Sequence, residues 1–178
     1  MTDIVQVERR DDIAIISLHR TEKRNALRRE DWIAVGDTVD ELGKDDELRC
    51  IVLRGAGDEA FCAGADITNF EAERSDRKKV KEYEAATDRA FLGVRNSRHP
   101  VIAMIHGFCI GGGFELALAA DLRISGESGR FGVPAKNIGL FLGYHLVQYL
   151  IDAGGPAVAA EILLEGRAIS AGEALAKN

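Results

Sequence analysis

Two stretches of the chain combine glycine-exposed backbone with side chains able to hold or move charge. In the run Val101 to Ser125, VIAMIHGFCIGGGFELALAADLRIS, three consecutive glycines (Gly111, Gly112, Gly113) lead into FELALAAD, where Glu115 is the single charge before Asp121. Glycines let another group approach the backbone closely. The first N–H groups of a helix have no intrahelical partner, so such a turn can serve an anionic oxygen. Two readings of Glu115 are open. Burial would favour its protonated form and move its pKa toward neutrality, where a general acid or base works best. The alternative is a first-turn acid that complements the helix dipole, worth ~0.3–1 kcal/mol. The second stretch, FCAGADI from Phe61 to Ile67, surrounds Gly64 with small residues and offers further N–H donors, and Asp66 reads as a helix cap.

Spacing excludes several other chemistries. The glycines run G-x-x-x-G-G-G from Gly107, matching neither G-x-G-x-x-G nor a P-loop. A G-x-S-x-G nucleophile elbow is absent. His19, His99, His106 and His145 have no metal-ligand spacing and read as structural. Cys50, Cys62 and Cys109, odd in number and without a CxxC pair, argue against a disulfide framework and a zinc site and fit a reducing cytosol. A net charge of −6 disfavours nucleic acid, so an anionic ligand needs a local basic patch. Arg20, Lys23, Arg24, Arg28 and Arg29 supply one, although such clusters are usually solvated surface.

The elements that must position these residues follow from pattern. With 178 residues, 46% of them hydrophobic, the chain suffices for one domain with a sizeable core. Its N-terminus, MTDIVQVERRDD, lacks a signal pattern, and no apolar run approaches the ~20 residues of a membrane span, so a soluble, cytoplasmic protein is expected. Val5–Val7 and Ile13–Leu18 read as a hairpin, and Arg28–Lys44 as an amphipathic helix. Cys50–Leu53, Val101–Ile105 and Leu122–Ile124 read as buried core strands. Residues 71 to 90 are charged on nearly every face and read as a solvated helix or mobile segment, before Phe91, Leu92 and Val94 return the chain to the core. Phe131 to Pro134 read as a turn-prone continuation, and Leu142–Leu150 and Ala157–Leu164 as helices punctuated by Gly154, Gly155 and Pro156. Ser170-Ala171-Gly172-Glu173 is a capping-box pattern opening a last helix. Strands alternating with helices predict an α/β fold.

In this order and combination the sequence resembles the enoyl-CoA hydratase/isomerase (crotonase) superfamily over essentially its whole length. The matching residues are Arg24-Asn25-Ala26-Leu27, Ala63-Gly64-Ala65-Asp66-Ile67, Gly111-Gly112-Gly113-Phe114-Glu115, Ala119-Ala120-Asp121, Phe131-Gly132-Val133-Pro134 and Ile169-Ser170-Ala171. The resemblance implies a crotonase-like (ClpP/crotonase) spiral of ββα units, a single domain over 1–178 whose C-terminal trimerisation helices are missing. It implies a coenzyme A thioester as substrate, no separate cofactor, and a homotrimer or hexamer. The N–H groups of Ala65 and Gly112 would form an oxyanion hole and Glu115 the acid/base. Lys23 and Arg24 would meet CoA phosphates, and Ala63, Asp66 and Ile67 would border adenine and pantetheine. Ala26, Leu27, Gly111, Pro134, Ala135 and Leu142 complete the implied substrate contacts. Two departures stand out. Family hydratases carry a second glutamate where this chain has Ala135, and many members have a proline where it has Leu142. Besides hydration or isomerisation, the resemblance therefore leaves acyl-CoA decarboxylation, thioester hydrolysis and a non-catalytic CoA-binding subunit open.

Overall fold

The computed structural model describes residues 3–69 and 75–177; the start of the charged stretch, 71 to 74, lies outside the described residues. In chain order the elements are β1 (Val5–Arg10), β2 (Ile13–Leu18), α1 (Arg29–Leu42), β3 (Cys50–Gly55), β4 (Ala60–Cys62), α2 (Arg77–Arg95), β5 (Val101–Ile105), β6 (Phe108–Ile110), α3 (Gly112–Ala119), β7 (Leu122–Ser125), β8 (Arg130–Gly132), α4 (Tyr144–Glu165), β9 (Ile169–Ser170) and α5 (Ala171–Lys177), with short 3-10 turns at Thr21–Lys23, Ile67–Asn69 and Pro134–Ile138. They form two sheets, ordered β1-β2-β3-β5-β7 and β4-β6-β8-β9. Only the outer pairs β1–β2 and β8–β9 are antiparallel. The rest are parallel and need crossovers, which α1, α2 and α3 provide.

The first sheet packs one face on the helices and leaves the other open. Ile16, Leu18, Ile51, Leu53, Val101 and Ala103 are fully buried. Their alternates Ile13, Met104, Leu122 and Ile124 are 37%, 37%, 57% and 58% exposed. This corrects the expectation of fully buried core strands: β3 and β5 alternate, as one-sided strands do, and β7 is an edge. Phe131 and Gly132 also belong to a strand, β8, rather than a turn. The short runs β4, β6 and β8 acquire strand character only by pairing with one another.

Helix α2 is one continuous helix through both the charged stretch and the apolar one. Asp76 caps it by accepting from the Lys78 and Lys79 N–H groups at 2.9 Å. Its face Tyr83, Ala86, Ala90, Phe91 and Val94 is buried, so the expected all-round solvation does not hold. It crosses α1 at a glycine pair: a Cβ on Gly36 would lie 2.4 Å from the Arg89 carbonyl oxygen, and one on Gly93 would lie 3.2 Å from the Gly36 Cα. Arg89 spans the crossing to Asp37 and Asp40 at 2.8 and 2.6 Å.

Helix α4 has the length and apolar composition of a membrane-crossing helix, more than the sequence reading allowed. It is broken at Gly155 (φ 80°, ψ 170°) beside Pro156, and it buries Leu146, Tyr149, Leu150, Ala159 and Ile162 in the core. The capping box is formed: Glu173 accepts from the Ser170 N–H at 2.8 Å and its own N–H donates to Ser170 Oγ at 3.2 Å. Lys177 ties α5 back to Glu161 of α4 at 2.7 Å.

Candidate active site

The second glycine stretch lies against the basic loop. Ala63 N–H donates to the Arg24 carbonyl, Leu27 N–H to the Gly64 carbonyl and Asp66 N–H to the Leu27 carbonyl, at 2.9, 2.8 and 2.8 Å. This is a parallel bridge between Leu27 and Ala65 in which the flanking residues 64 and 66 make the bonds. The N–H of Ala65 points to the other side, and no acceptor takes it among the described residues. Asn25, buried and at φ 56°, fixes the bend: its side chain accepts from the Arg20 N–H at 3.0 Å and donates to the Ala56 and Ala60 carbonyls at 3.0 and 2.8 Å.

The first glycine stretch meets this loop from the other sheet position. Gly111, at φ 56° and ψ −124°, takes a conformation that only glycine adopts readily, and its N–H donates to the Gly132 carbonyl at 2.8 Å. That bond ties β8, and through it Pro134 and Ala135, to the glycine turn. Gly112 opens α3 with its N–H unpartnered among the described residues. The two loops touch: a Cβ on Gly113 would lie 2.2 Å from the Cys62 carbonyl oxygen, which only glycine permits. Two free N–H groups thus sit on abutting loops. Such a pair can stabilise an oxyanion.

Glu115 follows Gly112 by three residues, on the same side of α3. Its carboxyl has no ion pair or hydrogen bond among the described residues. Burial pushes its pKa up to about 8, and the negative charge of Asp88 adds to the rise. The Glu115 carboxyl is thus held protonated toward neutrality, and it also stands in the first turn of α3. Asp66 is the opposite case. The Thr68 hydroxyl and N–H, at 2.5 and 2.9 Å, and the Arg20 guanidinium, at 2.7 Å, hold its carboxyl down at about 2.

The basic patch is largely consumed internally. Arg20 pairs with Asp66, Arg28 with the fully buried Asp31 at 3.0 Å, and Arg29 with Glu82 at 3.0 Å. Arg24 lies 4.7 Å over the Phe108 ring with Glu59 at 3.6 Å. Lys23 is exposed and has no acidic partner among the described residues. Ile67 is 68% exposed, Ala26 is buried, and the Leu27 side chain is wholly buried, which leaves Leu27 its backbone as a contact. Ala135 is buried and Leu142 packs partly against the core.

Sequence reasoning passed over Asp88 and Tyr149. Tyr149 of α4 is buried beneath the Arg95 guanidinium, 5.3 Å from its ring, and burial pushes its phenol up. The buried periodicity of α2 was the available signal for Asp88, since it sets that residue one turn from Phe91. A separate cavity of about 690 Å³, lined by Phe114, Leu118, Leu122, Phe131, Leu150 and Ile162 among others, includes neither donor loop nor Glu115.

The enoyl-CoA hydratase/isomerase family model matches residues 8–177. A crotonyl-CoA hydratase of Syntrophomonas wolfei is 30% identical over 168 residues, 94% of this chain and 64% of that protein. An (E)-benzylidenesuccinyl-CoA hydratase of Thauera aromatica is 34% identical over 175 residues, 96% of this chain and 66% of that protein. Among solved structures, an enoyl-CoA hydratase/carnithine racemase from Magnetospirillum magneticum superposes with a TM-score of 0.96 at 40% identity, covering 99% of this chain and 66% of that one. The chain thus spans about two thirds of the length of its relatives. With both sheets, the abutting glycine loops and the match over almost its whole extent, the chain belongs to the enoyl-CoA hydratase/isomerase family.

Proposed function

We propose that the protein hydrates an enoyl thioester of coenzyme A. The N–H groups of Ala65 and Gly112 receive the thioester oxygen, and Glu115 transfers the proton at C2. The observation that carries this reading is the unpartnered pair of N–H groups beside a carboxyl whose pKa is about 8. When water adds at C3, the π electrons move onto the thioester oxygen, and two aimed donors stabilise that charge by ~2.7–4 kcal/mol each. At neutral pH Glu115 is mostly protonated and can give its proton to C2 as the enolate collapses.

Lys23, without an acidic partner among the described residues, and Arg24 would meet the CoA phosphates, with Ala63, Asp66 and Ile67 along the carrier arm. Gly111, Pro134, Ala135 and Leu142 would border the acyl group. The reading takes the protein as a cytoplasmic homotrimer or hexamer that needs no cofactor beyond its substrate. Ala135, which can carry no proton, favours a second reading, decarboxylation or hydrolysis of an acyl thioester over the same oxyanion site.

The test is loss of the conjugated-thioester absorbance of crotonyl-CoA with the full chain and its Glu115→Gln variant. Turnover in the wild type that falls about 10²–10⁴-fold in the variant supports the proposal. Product formation from a malonyl-type thioester and none from crotonyl-CoA would support the second reading instead.

A further inference from the structure

The turn that opens α3 has to hold its shape without side chains of its own. Gly111, Gly112 and Gly113 leave its dihedral angles free unless neighbours restrict them. On one side Gly113 is closed against the Cys62 carbonyl. The other side belongs to Trp32.

Trp32 lies on α1 and is 1% exposed. The outer edge of its six-membered ring, Cη2 and Cζ2, would meet a Cβ on Gly112 at 3.1 and 3.2 Å, and Phe91 Cζ would meet it at 3.8 Å. Gly112 has no positive φ, so its lack of a side chain answers to the indole and not to the backbone. The indole is held in turn by α2 at two points. Its Nε1–H donates to the Tyr83 hydroxyl at 3.2 Å, and the Phe91 ring stands edge-on to it, 5.4 Å away between centroids. Tyr83 and Phe91 both belong to the buried face of α2. The same end of α1 serves the other donor. Leu27, the residue before the Arg28 cap of α1, makes the two backbone bonds that leave the Ala65 N–H facing away. The start of α1 thus bears on both donors, on Ala65 through Leu27 and on Gly112 through Trp32.

We propose that Trp32 is a positioning residue for the oxyanion pair: its indole edge sets the height at which Gly112 presents its N–H, and so the distance between the two donors. This rests on the reading of Ala65 and Gly112 as donors to a thioester oxygen. An oxygen bound at Gly112 loads the contact between that residue and the ring. Trp32 is the single tryptophan of the chain, so its fluorescence reports the event.

The experiment uses the full chain with Trp32→Leu, Trp32→Phe, Gly112→Ala and the Gly112→Ala/Trp32→Leu pair, each checked for folding by circular dichroism. With crotonyl-CoA, Trp32→Leu is expected to lose about 10²-fold in kcat with little change in KM, because the donor shifts while the contacts to the CoA arm stay. Trp32→Phe, which keeps a shorter ring beneath the turn, falls less. Gly112→Ala is also slow, since its methyl group presses on the indole. The double variant is faster than the product of the two losses predicts, because the methyl group enters the space the indole leaves. In the wild type, butyryl-CoA, a saturated thioester that cannot be hydrated, shifts the Trp32 emission, and free CoA does not. Wild-type kcat in a folded Trp32→Leu overturns the proposal. So do strictly additive losses, or an emission that butyryl-CoA leaves unmoved, either of which makes Trp32 core packing alone. Where Trp32→Leu fails to fold, Trp32→Phe takes its place in the cycle. If the wild type leaves crotonyl-CoA unhydrated, the hydratase reading falls, and the emission test still decides whether Trp32 carries the donor.

Discussion

A Cβ added to Gly64 would stand 3.1 Å from the backbone nitrogen of Gly112 and 2.8 Å from the Ile110 carbonyl oxygen. The spacing of the two donor loops is set by the hydrogen that glycine has in place of a side chain. Gly64 also sits at φ 91°, where a side chain is strained. Gly64→Ala is expected to cost about 1–3 kcal/mol and to lower kcat more than it changes KM. Urea unfolding and crotonyl-CoA kinetics measure the two effects, and an unaltered kcat would show that the loop spacing is not critical.

The raised pKa of Glu115 makes stability pH-dependent. An unfolded glutamate releases its proton near 4.5, whereas folded Glu115 keeps it to about 8. Between these values the folded state binds a proton that the unfolded chain has lost, so stability falls as pH rises through that window, by roughly a few kcal/mol in all. Glu115→Gln removes the effect. Its melting temperature should match the wild type at pH 4 and exceed it at pH 9; equal melting at both would mean that burial does not hold the proton.

Asp66 has the opposite sign. Its folded carboxyl titrates at about 2 against an unfolded 3.8, so its stabilisation is present above pH 4 and lost as pH falls toward 2. Asp66→Asn should cost about 1–3 kcal/mol at pH 7 and almost nothing at pH 2. Denaturation curves at the two pH values decide this.

Asn25→Ala would strip the partners from the Ala56 and Ala60 carbonyls and leave alanine at φ 56°. A loss of about 2–5 kcal/mol follows from unsatisfied buried acceptors and backbone strain together. Asn25→Asp keeps the acceptor to Arg20 N–H but not the donors, and should recover little. Recovery in Asn25→Asp would shift the weight to the Arg20 bond.

Much of this architecture is local and therefore legible. The glycine turn into α3, the isolated Glu115 and the Ser170–Glu173 box each depend on residues within a few positions of one another. The second sheet is not local: Phe108–Ile110 and Arg130–Gly132 are too short to declare themselves and become strands by pairing with partners 22 positions away. Nor does sequence reveal how cations are spent. Arg20 and Arg28 look as available as Lys23 until Asp66 and Asp31 are found beside them. The apolar face of α2 was hidden in the same way, within a charged run whose buried positions only the packing against α1 and α3 exposes.

Cys62 ties the two donor loops to a chemical clock. Its buried thiol accepts from the Gly64 N–H at 3.4 Å and donates to the Asn25 carbonyl at 3.1 Å, and burial pushes its pKa to about 12. A thiol so placed is inert while the loops are joined and becomes alkylable only when they part. Half-exposed Cys50 supplies an internal reference for reagent access. The ratio of the two labelling rates therefore counts how often the Cys62 loop lifts from Asn25, and a ligand held against that loop should slow the count without any turnover taking place.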